Sequence, residues 1–453
     1  MLLEVIILAA GKGTRMRSDL PKVLHPLAGK PMLVHVIEQA QTLQPSRTHV
    51  IVGHGADQVA AVVQPMGAEC VTQTQQLGTG HAVAQAMPYV DDNAMVLVLY
   101  GDVPLVPAAL MQQLADQAVH NQLAILTVTL KDSNGYGRIL RNEAGHIQAI
   151  VEQKDATTEQ LEIKEINTGI LAAKASLLNG WLPRIRNHNA QGEIYLTDIV
   201  AMAVADGISI DHFQPHFPQQ TQGVNDRVQL AELERWHQRQ QAQQLLRDGI
   251  QLADPERFDL RGQLTAGTDI FIDINVIIEG QVSLGDGVHI GPNCHIKDAY
   301  IGAGTKVLAN SVIDQAQVAA NCNIGPFARL RPGTILQDHA KVGNFVETKN
   351  TTLGQGSKAN HFTYLGDTLV GEDVNIGAGT ITCNYDGVNK FKTHINDGAF
   401  IGSNSSLVAP LNIGIGATIG AGSTITKDVP ADNLAIARGK QRNLATWAKP
   451  VKT

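Results

Sequence analysis

The first half of the chain alternates short apolar runs with longer stretches of helical spacing. The runs at 5–8, 48–52 and 95–99 are continuous and rich in Val, Ile and Leu, which predicts strands buried on both faces. The stretches at 34–43 and 105–118 repeat their apolar residues at helical intervals. Strands that alternate with helices predict an α/β domain of Rossmann-like type, with a mainly parallel sheet covered by helices.

A polar stretch at 227–247 contains neither Gly nor Pro and is rich in Gln, which predicts one long helix. This helix could belong to the surface of either flanking domain. A connecting helix is favoured because the sequence patterns on its two sides differ sharply. We therefore predict a first domain at 1–226, a linker helix at 227–247 and a second domain at 248–453.

Beyond residue 250, aliphatic residues recur every six positions. A period of six fits neither an α-helix nor an alternating strand, and it predicts a left-handed parallel β-helix of hexapeptide repeats with the aliphatic side chains inside. The period slips at 298–312 and 355–390, where we expect loops, the second of which contains His361. The repeating residues are Ile272, Ile278, Leu284, Ile290, Ile296, Ile324, Leu330, Leu336, Val342, Ile395, Ile401, Leu407, Ile413, Ile419 and Ile425.

The composition narrows the classes of function. A net charge of −7 leaves no basic footprint for nucleic acid. The four cysteines form no CxxC pair, so neither a zinc site nor a disulfide framework is expected. No apolar run approaches a membrane span, and the first residues do not resemble a signal peptide. Free thiols without a signal predict a cytoplasmic protein with no membrane partner.

A glycine-bearing loop, LAAGKGTRM at 8–16, follows the first predicted strand. Gly11 and Gly13 allow close approach of the backbone to a phosphate, and Arg15 and Lys22 add positive charge. The loop is neither a dinucleotide fingerprint, since it lacks the third Gly, nor a P-loop. Taken alone, it could equally be an ordinary turn.

Two further segments indicate a nucleotide site. The polar loop QTQQLGTGHA at 73–82 opens a predicted helix. Asp102 follows the third apolar strand, at the carboxyl end where ligands bind in open α/β sheets. If the site binds a nucleoside triphosphate, the carboxylate of Asp102 is predicted to be a ligand of the accompanying Mg²⁺. The alternative role for Asp102 is a helix N-cap.

The motifs LAAGKGTRM, LPKVLH, QLGTGHA, YGD, GYGRI, EINTGI and GVN precede the hexapeptide repeats in this order. Over essentially the whole chain this combination resembles the bacterial bifunctional N-acetylglucosamine-1-phosphate uridyltransferase/glucosamine-1-phosphate acetyltransferases. The resemblance implies acetylation of glucosamine-1-phosphate by acetyl-CoA, followed by UMP transfer from UTP with release of pyrophosphate. It also implies Mg²⁺, a homotrimer, and a product that supplies peptidoglycan and lipopolysaccharide synthesis.

The resemblance also implies roles for individual residues of the first domain. Asp102 and Asn225 would bind Mg²⁺, Lys22 would face the phosphates, and Gly137, Glu152 and Asn167 would hold the sugar. The complete set of nucleotide-binding and sugar-binding residues is Leu8, Ala9, Ala10, Gly11, Arg15, Lys22, Gln73, Gly78, Thr79, Tyr100, Gly101, Asp102, Gly137, Glu152, Asn167 and Asn225.

In the second domain, acetyl transfer to an amine requires a general base, for which His361 is our candidate. Glu347 could orient His361, and the Ala378 N–H could stabilise the oxyanion. A covalent acyl intermediate on Cys383 is less favoured, because direct transfer needs no nucleophile. The resemblance assigns Arg331, Lys349, Tyr364 and Asn375 to the sugar phosphate, and Ala378, Asn384, Tyr385, Ser403, Ala421 and Arg438 to acetyl-CoA.

A β-helix filled by its own aliphatic residues has no internal cavity, so we expect ligands between prisms and a homotrimer with sites at its interfaces. Two other functions stay open at this point. The β-helix could serve only to oligomerise a nucleotidyltransferase, but His361, Lys349 and Arg331 argue against this. The chain could instead be a regulatory protein without catalysis, which the presence of Lys22 and Asp102 argues against.

Overall fold

The computed structural model describes residues 2–452 and divides at His237/Gln238 into two compact units. The first unit contains a nine-stranded sheet with helices packed against it. Its strands are β1 (Leu3–Leu8), β2 (Arg47–Val52), β3 (Glu69–Thr72), β4 (Met95–Tyr100), β5 (Leu123–Thr129), β6 (Arg138–Arg141), β7 (Ile147–Val151), β8 (Glu165–Lys174) and β9 (Ile210–Phe213). A separate two-stranded ribbon pairs Pro26–Leu27 with Lys30–Pro31.

The helices follow the strands in the expected alternation. The α-helices are α1 (Met32–Gln41), α2 (Ala56–Val63), α3 (Thr79–Ala86), α4 (Ala108–Asn121), α5 (Thr158–Leu161), α6 (Ala175–Trp181), α7 (Asp198–Ala205) and α8 (Arg227–Arg247). The 3₁₀ turns are Thr14–Met16, Lys22–Leu24, Gln64–Met66, Met87–Tyr89, Leu182–Arg184, Pro218–Thr221 and Pro255–Arg257. None of the helices within residues 2–452 has the length and apolar character of a bilayer span.

The strand order β9-β5-β8-β4-β1-β2-β3 places β1 in the middle of the sheet. β1 pairs in parallel with β2 on one side and β4 on the other, while β8 runs antiparallel between β4 and β5. Every residue of β1 is buried, with alternate side chains entering the two cores on opposite faces of the sheet. The prediction of a mainly parallel, doubly covered sheet is confirmed. Its order reverses at β1, so a ligand crevice is expected at the carboxyl ends of β1 and β4.

The second unit is a left-handed parallel β-helix, as the six-residue period predicts. Equivalent residues stack from coil to coil, as Ile272 does on Ile290. The fifteen repeating aliphatic residues are all buried. One sheet has eleven strands: Gln251–Leu252, Phe271–Ile272, His289–Ile290, Lys306–Val307, Asn323–Ile324, Lys341–Asn344, Lys358–His361, Asn375–Ile376, Phe400–Ile401, Thr418–Ile419 and Leu434–Ala435.

The other sheet of the β-helix covers the two remaining faces of the prism with seventeen strands. These are Phe258–Ala266, Val276–Leu284, His295–Lys297, Tyr300–Ile301, Val312–Asp314, Gln317–Val318, Arg329–Leu330, Ile335–Leu336, Glu347–Lys349, Thr352–Leu353, Tyr364–Gly366, Thr368–Val370, Ile381–Cys383, Thr393–Ile395, Ser406–Val408, Leu411–Ile413 and Thr424–Ile425.

The slip of the period at 298–312 is not a loop, and that prediction was wrong. Inward residues such as Ile296 and Ile301 are five positions apart, because the corner between them is one residue shorter. Asp298 makes this tight corner with a left-handed backbone, φ 45°. Asp and Asn tolerate that conformation because their short polar side chains bond locally.

The slip at 355–390 is likewise smaller than predicted. His361 ends a regular strand, Lys358–His361, rather than lying in a loop that interrupts the repeats. The real insertion runs from Asn384 to Lys392, between two strands of neighbouring sides. His361, which was predicted to lie in a loop, therefore lies at a corner of the prism, at the end of a strand.

Helix α8 extends over the residues predicted for the linker helix, and the two compact units divide within it. In its first half, the fully buried Leu233 joins a small core with Leu27, Met32 and Val224. In its second half, Ala242 joins the core of the β-helix.

Candidate functional site

A cavity of about 300 Å³ lies at the carboxyl ends of β1 and β4. The topological switch point of the sheet therefore does carry a pocket. The start of α3 and the loop before it also line the cavity. Its lining residues are Leu8, Ala9, Ala10, Gly11, Lys22, Val23, Gln73, Gln76, Gly78, Thr79, Ala82, Tyr100, Asp102 and Glu193.

The glycine-bearing loop is shaped to press against Lys22. Gly13 has φ 58°, and a Cβ atom there would lie 2.6 Å from the Cβ of Lys22. Any other residue at position 13 would displace the lysine. Two predicted residues do not line the cavity. Arg15 is exposed to solvent, and Gly101 is buried, with its N–H donating to the Leu8 carbonyl at 2.9 Å.

Lys22, Asp102 and Asn225 meet at one end of the cavity, although they are far apart in the chain. The Lys22 Nζ lies 2.5 Å from Asp102 Oδ2 and 3.4 Å from Asn225 Oδ1. The Val224 N–H donates to the Asp102 carbonyl at 2.9 Å, which joins the two loops. Asp102 is not a helix N-cap, since α4 begins at Ala108.

The donor set of this cluster fits a small hard cation. A carboxylate oxygen and an amide oxygen already lie beside one positive group, the Lys22 ammonium. Mg²⁺ takes one or two protein oxygens and completes its shell with water and phosphate. No group of three or more His, Cys, Asp or Glu side chains suited to a metal occurs within residues 2–452.

Tyr100 lines the cavity and lies within electrostatic reach of Asp102 and of the predicted sugar residue Glu152. Burial raises the pKa of its hydroxyl well above the usual range, and the charges of Glu152 and Asp102 raise it further. Its ring packs on Gly169, where a Cβ atom would lie 2.6 Å from the ring. Tyr100 therefore presents a neutral hydroxyl that interacts electrostatically with both carboxylates.

The three predicted sugar residues lie together. The Asn167 N–H donates to the Gly137 carbonyl at 2.9 Å, and a Cβ atom at Gly137 would lie 3.3 Å from Glu152 Oε1. Burial raises the pKa of Glu152, against the hydrogen bond that it accepts from Thr197 Oγ1 at 3.2 Å. These groups form an acceptor-rich wall beside Tyr100.

Sequence reasoning missed four lining residues, Val23, Gln76, Ala82 and Glu193. The first three lie within or beside motifs that were recognised, so proximity alone could have indicated them. Glu193 lies in the segment before α7, which has neither a motif nor a hydrophobic period. Only the folding of that segment onto α3 brings Glu193 to the cavity.

Four of the six predicted acetyl-CoA residues, Ala378, Ser403, Ala421 and Arg438, follow one corner of the β-helix, whereas Asn384 and Tyr385 lie in the insertion. The Gly379 N–H donates to the His361 carbonyl at 3.3 Å, and the Asn404 N–H donates to the Ala378 carbonyl at 2.7 Å. The equivalent hydrogen bond on the next coil runs from the Gly422 N–H to the Ser403 carbonyl at 2.8 Å. The last members are Ala421 and Arg438, whose Nη1 donates to the Ala421 carbonyl at 2.8 Å. Ala378, Ser403 and Ala421 occupy equivalent positions on successive coils.

Positive side chains converge on the neighbouring face of the prism. The pKa of Lys349 is lowered mainly by the nearby Lys390 and further by Arg331, so three cations share this surface. Arg331 Nη1 also donates to Glu347 Oε1 at 2.8 Å. Glu347 forms no hydrogen bond with His361 among the described residues. Lys390 was missed because it lies in the insertion, outside the repeat.

The remaining predicted residues of the second site are divided between faces and corners. Tyr364 lies along its own strand, where its hydroxyl covers Gly366. Asn384 Nδ2 donates to Asp367 Oδ2 at 2.5 Å, and Tyr385 Oη donates to the Gly387 carbonyl at 2.5 Å. Asn375 begins a strand of the eleven-stranded sheet. It therefore lies on a different face of the prism from Arg331 and Lys349.

An exposed ladder of phenylalanines runs down the corner that carries His361. Phe327, Phe345 and Phe362 stack with ring centroids 5.2 Å apart at each step. All three are about half exposed or more, and all have left-handed backbones with φ from 47° to 56°. The same corner holds Asn293 and Asn310 on the preceding coils, so the fold itself does not require an aromatic residue there.

Models of known protein families match segments of both units. Residues 5–253 match the MobA-like NTP transferase domain, residues 260–346 the GMPPB C-terminal domain, and residues 392–427 the hexapeptide repeat of succinyl-transferase. Among solved structures, UDP-glucose pyrophosphorylase complexed with UDP-glucose aligns with 52% of this chain and 98% of its own, at 16% identity and a TM-score of 0.44.

Full-length relatives are much more similar. The bifunctional protein GlmU of Marinobacter nauticus is 59% identical over 99% of both chains, and that of Cellvibrio japonicus is 58% identical over the whole of both. The protein of the same name from Stutzerimonas stutzeri is 56% identical, again over the whole of both chains. Since relatives this similar match both units from end to end, the chain belongs to the family of the bifunctional GlmU proteins.

Proposed function

We propose that the chain makes UDP-N-acetylglucosamine in two steps. The second unit acetylates glucosamine-1-phosphate with acetyl-CoA, and the first unit then transfers UMP from UTP to N-acetylglucosamine-1-phosphate. The observation that carries the proposal is the meeting of Lys22, Asp102 and Asn225 beside a pocket at the switch point of the sheet. Membership of the GlmU family supports the pairing of two activities.

In uridylyl transfer, a phosphate oxygen of the sugar substrate attacks the α-phosphorus of UTP, and pyrophosphate leaves with the electrons of the broken P–O bond. This reaction needs alignment and charge neutralisation more than covalent help. Lys22 supplies a positive charge beside the phosphates, and the Gly11 region offers its backbone. Asp102 and Asn225 would hold Mg²⁺, which supplies further neutralisation of the phosphate charge.

In acetyl transfer, the amine nitrogen of the sugar attacks the thioester carbonyl, the C–S bond breaks and CoA leaves. His361 accepts the proton that the amine loses. The Ala378 N–H is on the next coil at the same corner and makes none of the hydrogen bonds found within residues 2–452, so it is available for the oxyanion. Arg331, Lys349 and Lys390 suit a phosphate dianion.

We extend the proposal to assembly and location. The uridyltransferase would occupy 1–226 and the acetyltransferase 248–453, with the helix at 227–247 connecting them. The β-helix would form a homotrimer, because Phe327, Phe345 and Phe362 expose a contiguous apolar ladder that water solvates poorly. The cysteines are free thiols, which fits the cytoplasm, where the nucleotide sugar would supply cell-wall precursors.

The test uses the full chain with glucosamine-1-phosphate, acetyl-CoA, UTP and Mg²⁺, and follows free thiol and pyrophosphate together. We expect thiol to appear first and pyrophosphate only after it. Omission of acetyl-CoA should stop both, whereas omission of UTP should stop pyrophosphate alone. Pyrophosphate release without acetyl-CoA would contradict the proposed order of steps.

A further inference from the structure

The corner of the β-helix that carries the phenylalanine ladder has two oppositely charged residues on one of its coils. On the coil of Asn310, the exposed Lys306 begins the strand before the corner, and Asp314 ends the strand after it. Each lies four residues from Asn310, on one of the two faces that meet there. The two residues are therefore at about the same height along the β-helix and about the same distance from the corner.

One oxygen of the Asp314 carboxylate, Oδ1, is buried and has no hydrogen-bond partner among the residues that the structure describes. The cations on the two adjacent coils are bound to other carboxylates. Lys297 Nζ donates to Glu279 Oε1 at 2.6 Å, and Arg331 Nη1 donates to Glu347 Oε1 at 2.8 Å. A buried polar atom without a hydrogen bond is unfavourable, and folded proteins pair most such atoms. Because the Asp314 side chain as a whole is only partly buried, a cation from outside the chain can reach its carboxylate.

A ring of three copies around this corner would bring such a cation to Asp314. With the ladder turned toward a three-fold axis that is parallel to the prisms, the face before the corner on one copy lies against the face after the corner on the next. The symmetry places equal coils at equal heights. Lys306 of one copy then faces Asp314 of its neighbour, because both residues are equally far from the corner.

The adjacent coils make this contact specific for one register. Asp314 is flanked by Lys297 on the preceding coil and by Arg331 on the following coil. A slip of one coil, about 4.8 Å, would therefore place Lys306 against a residue of the same charge in either direction. Copies that slip in this way cannot close into a ring and would continue as an open-ended assembly.

We infer that Lys306 of each copy forms an ion pair with the partner subunit's Asp314, and that this pair sets the register in which three copies close. The inference rests on the homotrimer of the proposed function and names the residues that align its copies. The phenylalanine ladder cannot set the register by itself, because its stacked rings present a similar surface on successive coils. An opposite charge at one height, with like charges one coil away, does distinguish the registers.

The test reverses each charge alone and then both together in the full chain, with sedimentation over a range of protein concentrations. Lys306→Glu and Asp314→Lys should each raise the concentration needed for assembly by about tenfold or more, because like charges then face each other. The double variant exchanges the two charges and should return to within about threefold of wild type. Salt at about 1 M should reduce the differences by screening. Lys427→Glu, at an exposed lysine elsewhere on the β-helix, is the matched control and should not change assembly.

The double variant separates a contact between copies from damage within one coil, since only a contact is restored by the exchange. A double variant that assembles no better than either single variant would show that the two residues do not meet. Single variants that assemble like wild type would exclude the pair from the interface and leave the homotrimer intact. Wild type that sediments as one chain at every concentration would refute the proposed homotrimer and the inference with it.

Discussion

The ammonium group of Lys22 lies 2.5 Å from Asp102 Oδ2, and the two side chains are only 15% and 16% exposed. Eighty residues separate them in the chain. A partly buried pair of this kind differs from a surface ion pair, because removal of one partner leaves the other charge uncompensated. The pair therefore links the lysine proposed to face the phosphates to the carboxylate proposed to bind Mg²⁺.

Asp102→Ala is expected to abolish uridylyl transfer and to spare acetylation. The substitution removes the carboxylate that neutralises Lys22 and is proposed to bind the metal, so a loss of at least about a hundredfold is expected. Pyrophosphate and free thiol, measured on the same sample, separate the two activities. Pyrophosphate release that keeps the Mg²⁺ dependence of wild type would remove Asp102 from the metal site.

His361→Ala should lower acetyl transfer by about 10²–10⁴-fold, the usual contribution of a positioned base. Uridylyl transfer should be unchanged, and acetyl-CoA affinity nearly so, since Ser403 and Ala421 lie on later coils. Near-normal acetylation, or loss of CoA binding as well, would make His361 a structural residue.

Phe345→Asn tests the proposed homotrimer. Asn293 and Asn310 adopt the same left-handed backbone at this corner, so the substitution should not strain the coil. It should nevertheless weaken assembly, which sedimentation would detect as a smaller particle, and leave pyrophosphate release intact. Ile415→Asn, at an exposed position elsewhere on the β-helix, is the control. An unchanged particle size would exclude the ladder from the interface.

A fragment that ends at residue 237 should be more stable than one that ends at 227. The longer piece keeps Leu233, which is fully buried, and Glu234, whose carboxylate accepts from the Ala28 N–H at 2.6 Å. Loss of a buried leucine alone costs about 2–5 kcal/mol. Urea unfolding of both fragments measures the difference. Equal midpoints would show that the first half of α8 adds nothing to the first unit.

Glu152→Gln should stabilise the protein at neutral pH while weakening sugar binding. The raised pKa of Glu152 means that the folded protein holds its proton more tightly than the unfolded chain, mainly because of burial. Its ionisation therefore costs stability as pH rises from about the ordinary value of 4.5 through the raised value.

The stability advantage of Glu152→Gln should accordingly vanish at pH 4, where both proteins are neutral at this position. Uridylyl transfer should fall by about 10-fold or more, since a charged acceptor for the sugar is lost. Thermal unfolding at pH 4 and pH 7 checks the sign. A variant that is less stable than wild type at pH 7 would contradict this explanation.

The features that depend on local periodicity could be predicted from the order of the residues alone. Every inward residue of a β-helix side obeys the same short repeat, so Ile395 to Ile425 could be assigned to the core without any knowledge of distant contacts. The continuous strand Met95–Tyr100 likewise placed Asp102 at a carboxyl end. These assignments held because burial on a regular element follows directly from spacing along the chain.

The contacts between groups that are far apart in the chain depend on the folded arrangement of the elements. The contact of Lys22 with Asn225 spans 203 residues, the hydrogen bond from Thr197 to Glu152 depends on a segment with no repeat, and Lys390 reaches Lys349 from an insertion. The six-residue pattern also failed to predict the sides of the β-helix on which successive inward residues, such as Ile296 and Ile301, are five positions apart. No local period encodes such contacts, because they arise from the pairing of strands and the docking of loops across long stretches of chain, where side-chain packing selects one arrangement.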